Sequence, residues 1–300
     1  MSMRRKIRIG SRDSLLAVKQ TEIVANALLR THPELEIELV TMKTTGDLNP
    51  DLPFDLMPQG RFGVKGLFVK ELELALLDCR IDLAVHSLKD MPMEQNEDLP
   101  LLAFCSRGDP RDALVLPSGR PFSAEGDAGC SSARRRVQLR SLMPDRKVRS
   151  VRGNVLTRLR KLDGGEYAFL VLAAAGLQRI DLGHRITRLF SVEEMIPAAG
   201  QGILTCQGRR EGNDLSFLDS VYDPDALDAA LAERAFVRFL GGGCTLPVAA
   251  YAETSASELR LTGLYADEEK EIFRSGSISG NRVDAEKLGE TLAHRLLYEE

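Results

Sequence analysis

The sequence is poor in the residues that build metal centres and disulfide frameworks. Its five cysteines, Cys79, Cys105, Cys130, Cys206 and Cys244, are odd in number, and no two form a C-x-x-C pair. That spacing argues against a disulfide scaffold and against a structural zinc site. The four histidines, His32, His86, His184 and His294, are scattered and form no H-E-x-x-H, so no metal site is expected. No apolar run approaches the roughly 18 residues of a membrane span. The basic start, MSMRRK, leads into IRIGSRDS and not into an apolar segment. The expectation is a cytoplasmic protein without a membrane partner.

What is present is apolar material and unevenly placed charge. Of 300 residues, 43% are hydrophobic, enough for more than one core. The net charge is −4, yet Arg134–Lys161 carries eleven Arg and Lys against one acid, Asp145, a local +10. Such asymmetry points to an anionic partner. A polynucleotide would call for aromatics to stack on its bases; Arg134–Lys161 has no Phe, Tyr or Trp, and the whole chain has no Trp. No nucleic-acid partner is expected. A small polycarboxylate suits arginine's planar fork better.

The pattern along the chain alternates strand and helix. Strands are expected at Lys6–Gly10, Leu35–Met42, Ile81–Ser87, Ala113–Leu116, Val148–Val151 and Ala168–Ala173. Helices are expected at Ser14–Arg30, Gly66–Cys79, Ser131–Leu142, Asn154–Leu162 and a short stretch to Ile180, from apolar residues at helical spacing. IDLAVHS and the run ending at Ala173 are almost wholly apolar, as strands buried on both faces are. The tail differs: a helix over Asp225–Leu240, Gly241-Gly242-Gly243, strand-like runs at Val248–Ala252, Glu258–Ala266 and Glu271–Ser279, then a helix over Val283–Leu297. This reads as doubly wound α/β lobes followed by a small α+β domain.

Four places combine chemistry with position. Ser11-Arg12-Asp13-Ser14 sits where the first strand meets the first helix, able to hold an anion or simply to cap. His86-Ser87-Leu88-Lys89-Asp90-Met91-Pro92 follows a buried strand, where open α/β sheets gather ligands. Lys89 and Asp90 there suit binding and acid/base work; His86 is better read as a hydrogen-bonded core residue. Gly129–Arg136 and Arg152-Gly153-Asn154 with Arg158 are turns opening helices, rich in hydroxyls and arginines that suit carboxylates. Cys244 lies at the end of a triple-glycine loop, an accessible thiol. The plain alternative makes it a small buried hydrophobe, as expected of Cys79 and Cys206.

Taken in order, SRDSLLA, TTGD (Thr44–Asp47), KGLFVKELE (Lys65–Glu73), AVHSLKDMP (Ala84–Pro92), RDALV (Arg111–Val115), SSARR (Ser131–Arg135), RGNVLTRL (Arg152–Leu159), LAAAGLQR (Leu172–Arg179), PAAGQG (Pro197–Gly202) and GGCTLP (Gly242–Pro247) resemble the porphobilinogen deaminase (hydroxymethylbilane synthase) family. The resemblance runs from about Ile7 to Ala252. It implies two periplasmic-binding-protein-like lobes flanking a cleft and a third domain carrying the cofactor cysteine. The boundaries it implies are 1–104 with 199–220, then 105–198, then 221–300. It implies a dipyrromethane cofactor held by a thioether to Cys244, to which four porphobilinogens are added head to tail with loss of ammonia, releasing hydroxymethylbilane. Asp90 matches the family's catalytic aspartate, beside which a cationic azafulvene would be stabilised. Lys89, Ser132, Arg134, Arg135, Arg158 and Gln201 match residues at the cofactor. Arg12, Ser14, Arg152 and Arg179 match residues holding substrate carboxylates, and Lys65 and Phe68 a loop over the cleft. The family further implies a monomer that passes its product to uroporphyrinogen-III synthase. Cys130, Ala133 and Gly241 depart from the family's usual residues. The rival classes are a two-lobed anion-binding protein without chemistry, which leaves Cys244 unexplained, and a nucleic-acid binder, which accounts only for the basic stretch.

Overall fold

The computed structural model describes residues 5–45, 66, 69–123, 125–211, 214–242 and 246–298. The first sheet begins with β1 (Arg5–Arg12), followed by α1 (Leu15–Thr31) and β2 (Leu35–Met42). Next come α2 (Lys70–Leu77), β3 (Leu83–Ser87), a 3-10 turn (Leu88–Asp90) and β4 (Leu101–Phe104). The second sheet is built from β5 (Asp112–Val115), β6 (Ala128–Gly129), α3 (Ala133–Leu142), β7 (Val148–Arg149), α4 (Val155–Asp163), β8 (Phe169–Ala173), α5 (Ala174–Arg179) and β9 (Arg188–Leu189). The chain then returns to the first sheet as β10 (Leu204–Gln207). The tail is α6 (Pro224–Phe239), β11 (Val248–Thr254), β12 (Glu258–Asp267), β13 (Ile272–Asn281) and α7 (Ala285–Tyr298).

The first sheet has the order β2-β1-β3-β10-β4 and the second β7-β6-β8-β5-β9. In each, three parallel strands are joined by an antiparallel strand that arrives from elsewhere in the chain, and then by a fifth strand antiparallel to it. The two lobes thus repeat one topology without repeating sequence. β11, β12 and β13 form a separate antiparallel sheet, with α7 against β12 and β13. Two doubly wound α/β lobes and a small α+β domain are what the sequence led one to expect.

Burial on both faces explains the apolar strand runs. In β3, Leu83 and Val85 join the cluster of Ile9, Leu28 and Leu204, while Ala84 joins Leu72, Leu76 and Leu99 on the other face. In β8, Leu170 and Leu172 pack with Leu159 and Leu177, and Phe169 and Val171 with Leu139 and Phe190. By contact, the chain divides into two units, which exchange at Arg107/Gly108, Gly202/Ile203 and Leu227/Asp228. The first includes Leu56–Arg107 and Ile203–Leu227; the second, Gly108–Gly202 and Asp228–Glu300.

One cysteine departs from expectation. Cys79 is exposed, not buried. It takes a left-handed φ of 55° just past α2, where its N–H bonds Leu76 O and the Arg80 N–H bonds Ala75 O. That is the paired closure of a helix end, more often made by glycine. Cys206 is buried, as expected.

Candidate functional site

In the first unit the parallel register sets Gly10 beside Ala84, so β1 and β3 deliver their carboxyl ends side by side. Ser14 accepts from the Ala17 N–H at 3.4 Å and caps α1, and Arg12 ends β1. Beyond β3, the turn is pinned by fully buried Leu88 and by Met91, and by the Leu88 N–H bonded to Ile203 O at 3.0 Å. Between these anchors Lys89 is half-buried and Asp90 exposed. A carboxylate on a fixed turn is preorganised while open to a ligand.

His86 is a buried core residue, as read from sequence. Its Nε2 lies 3.0 Å from Gln207 Oε1, and the Gln207 amide donates to Glu73 Oε1 at 2.9 Å and to Leu99 O at 3.0 Å. With both amide hydrogens so used, Gln207 presents its oxygen to His86, and the imidazole must donate from Nε2. Burial pushes its pKa down to about 4; the Gln207 bond opposes this, Arg12 lowers it further and Asp90 raises it. Arg12 and Asp90 therefore act on the same imidazole, which the structure keeps neutral.

In the second unit the centre is Asp112, fully buried at the start of β5. Arg135 donates to Asp112 Oδ1 from Nε (3.0 Å) and Nη2 (2.7 Å), and Arg134 Nη1 lies 2.7 Å from Oδ2. Gln201 Nε2 adds a bond to Oδ1 at 3.0 Å and another to Pro110 O at 2.6 Å. Burial alone would raise the Asp112 pKa; the two guanidinium groups outweigh it and hold the carboxyl well below the usual range. Arg134 is itself pulled down by burial, against the Asp112 charge that supports it. Two cations around one anion leave this buried cluster a net positive charge. Ser132 caps α3, accepting from the Arg135 N–H at 3.5 Å. Asn154 caps α4, accepting from the Thr157 N–H at 2.9 Å. Arg158 Nε donates to Gly153 O at 2.8 Å and Arg179 Nη2 to Gly202 O at 2.6 Å, which fixes both planar forks.

The basic stretch is less bare in space than in sequence. Glu268 pairs with Arg136 and Arg140, and Asp127 with Arg149, which also stacks on Tyr167. Arg146 donates to Gly126 O and Ser123 O. The opposition assigned to Asp145 alone is therefore shared by acids distant in sequence. The arginines at the helix-opening turns are Arg134 and Arg135, which share Asp112, and Arg152 and Arg158.

These donors fit a ligand bearing several carboxylates. Arg134 Nε is buried without a hydrogen-bond partner among the described residues, and the cluster about it carries excess positive charge. Of the residues expected at the site, Lys65, Phe68 and Cys244 lie outside the described residues. Arg12, Ser14, Lys89 and Asp90 fall in the first unit; Ser132, Arg134, Arg135, Arg152, Arg158, Arg179 and Gln201 fall in the second. Sequence reasoning missed Asp112. Asp112 was read as part of a strand motif, although an acid opening an apolar strand next to an arginine was a signal.

A lobed α/β protein with cations at its strand ends and the exposed carboxylate of Asp90 after β3 is the class that fold and site define. Residues 7–216 match the family model described as porphobilinogen deaminase, dipyromethane cofactor binding domain, and residues 227–298 that of the porphobilinogen deaminase C-terminal domain. The porphobilinogen deaminase of Alkaliphilus oremlandii is 50% identical over 289 residues, covering 96% of this chain and 95% of that protein. That of Acetivibrio thermocellus is 48% identical over 293 residues, covering 97% and 98%. The chain belongs to the porphobilinogen deaminase family. Among solved structures, the BenM effector binding domain with its effector benzoate is 16% identical with a TM-score of 0.41, covering 81% of this chain and 96% of that one, a likeness too low to carry an argument.

Proposed function

We infer that this chain condenses four porphobilinogens head to tail, releasing ammonia and hydroxymethylbilane, with Asp90 as the catalytic carboxylate and Cys244 as the attachment point. The observation that carries the reading is the turn Leu88–Asp90: one open carboxylate held between two buried anchors at the end of β3, with Arg12 on the neighbouring strand. The dipyrromethane, bound by a thioether, would supply the free pyrrole position that the first porphobilinogen joins, each later unit joining the ring before it. Asp90 faces the cation left when porphobilinogen loses ammonia, and a fixed negative charge there lowers the barrier. It also moves protons to and from the reacting pyrrole. Arg12, Ser14, Arg152 and Arg179 hold substrate acetate and propionate groups; Lys89, Ser132, Arg134, Arg135, Arg158 and Gln201 hold those of the cofactor. Lys65 and Phe68, which lie outside the described residues, match substrate-binding positions of the family.

The three-domain division at 1–104 with 199–220, 105–198 and 221–300 is part of this reading. It is supported by the separate family matches of 7–216 and 227–298. No helix among the described residues is long and apolar enough to cross a membrane. A cytoplasmic, monomeric enzyme that hands its product to uroporphyrinogen-III synthase completes the proposal, on the strength of the family.

Intact mass tests the attachment. The purified protein should exceed its sequence mass by one dipyrrole adduct, and Cys244→Ser should lack it. Wild type at the bare mass sinks the reading. Turnover tests the carboxylate: Asp90→Asn should fold normally and lose nearly all ammonia release, on the order of 100-fold or more. Near-normal release in that variant removes Asp90 from the central role.

A further inference from the structure

Glu233 is a fully buried carboxylate on α6. A buried charge is costly unless it is well bonded. Its two oxygens accept short bonds from backbone far apart in sequence: the Gly200 N–H at 2.7 Å and the Ala252 N–H at 2.7 Å. One side chain therefore fastens α6 both to the loop Pro197–Gly202 and to strand β11. Gly200 and Gly202 in that loop take φ of 73° and 91°, a conformation that few side chains would stabilise by themselves. The next residue, Gln201, reaches from the loop to Asp112, and Asp112 holds Arg134 and Arg135. In the other direction, α6 ends at Phe239, five residues before Cys244.

We propose that Glu233 is a positioning residue for the carboxylate-binding arginines. Through Gly200 and Gln201 it sets the Asp112 cluster, and it ties that cluster to the helix that leads to Cys244. The inference rests on the reading that Arg134 and Arg135 hold the dipyrromethane's carboxylates. Glutamine at 233 would offer one oxygen where two N–H groups need acceptors, and its NH2 would face a donor. Displaced arginines would hold the dipyrromethane less firmly and misplace its pyrrole, while the residues assigned to substrate stay in place, so kcat of loaded enzyme should change more than KM.

The test compares purified wild type, Glu233→Gln and Glu233→Asp by intact mass, steady-state kinetics with porphobilinogen, and thermal unfolding. Glu233→Gln should show a smaller adduct-bearing fraction than wild type. In its loaded molecules kcat should fall roughly tenfold, the loss expected for one charge-assisted bond, with a smaller change in KM. Glu233→Asp, which keeps the charge one methylene short, should fall between. A Glu233→Gln protein with full adduct and wild-type kcat overturns the proposal, as does one that only melts earlier. Should Glu233→Gln not fold, Glu233→Asp decides by the same two readouts. Wild type without adduct overturns the functional reading and this one together. Adduct in wild type with an unaltered variant overturns this one alone.

Discussion

Two neighbours in one motif, His86 and Asp90, show how a single strand end makes both a structural and a chemical group. His86 points into the core and is locked by Gln207; Asp90, four residues on, stands in the open. Gly153 makes the same distinction sharper. It has a φ of 103°, and a Cβ there would lie 2.6 Å from Thr157 Cγ2. The turn between Arg152 and the Asn154 cap thus requires glycine twice over, for its backbone and for its space. Gly153→Ala should lose about 1–3 kcal/mol in urea unfolding. An unchanged midpoint would mean that α4 can shift to admit the methyl group, and that the turn does not fix Arg152.

At the scale of elements, the sequence was most legible where period and caps agreed. Ser14, Ser132 and Asn154 were expected at the starts of helices and do cap them. Leu35–Met42 ends where its alternation ends. Short strands were not legible. Ala128–Gly129 has two residues, and Leu204–Gln207 has four, all buried, so neither offers a period to detect. Only the family resemblance suggested that 199–220 rejoins the first lobe; in the structure β10 pairs with β3 and β4. The same limit hid the Asp112 cluster. Its members come from β5, α3 and the loop at Gln201, up to 89 residues apart, and no local spacing announces such a meeting. Arginines 134 and 135 were visible as cations, but the buried acid between them was not.

For the molecule as a whole, acid should act on the two lobes at different pH. His86, in the first unit, has its pKa lowered from 6.5 to about 4 by burial. Below about pH 6.5 the unfolded chain takes a proton that folded His86 refuses, so stability is lost as pH falls from about 6.5 to 4. The full loss is about 3 kcal/mol. Glu73, behind Gln207, works the other way: burial raises its pKa against the Gln207 bond, which recovers part of the loss near the acid end. Asp112, in the second unit, is depressed from 3.8; its contribution is intact above that pH and goes only below it. Hydrogen exchange, corrected for intrinsic rates, should therefore show β1, β3 and β10 losing protection between pH 6.5 and 4.5 while β5 and β8 hold theirs. In His86→Gln, which cannot titrate, the first lobe should no longer lose protection between pH 6.5 and 4.5, even if its overall stability is lower, and Glu73 should leave a small gain toward the acid end. A loss on acidification that survives in that variant would assign the acid sensitivity to other groups, and equal loss in both lobes would mean that they unfold as one unit.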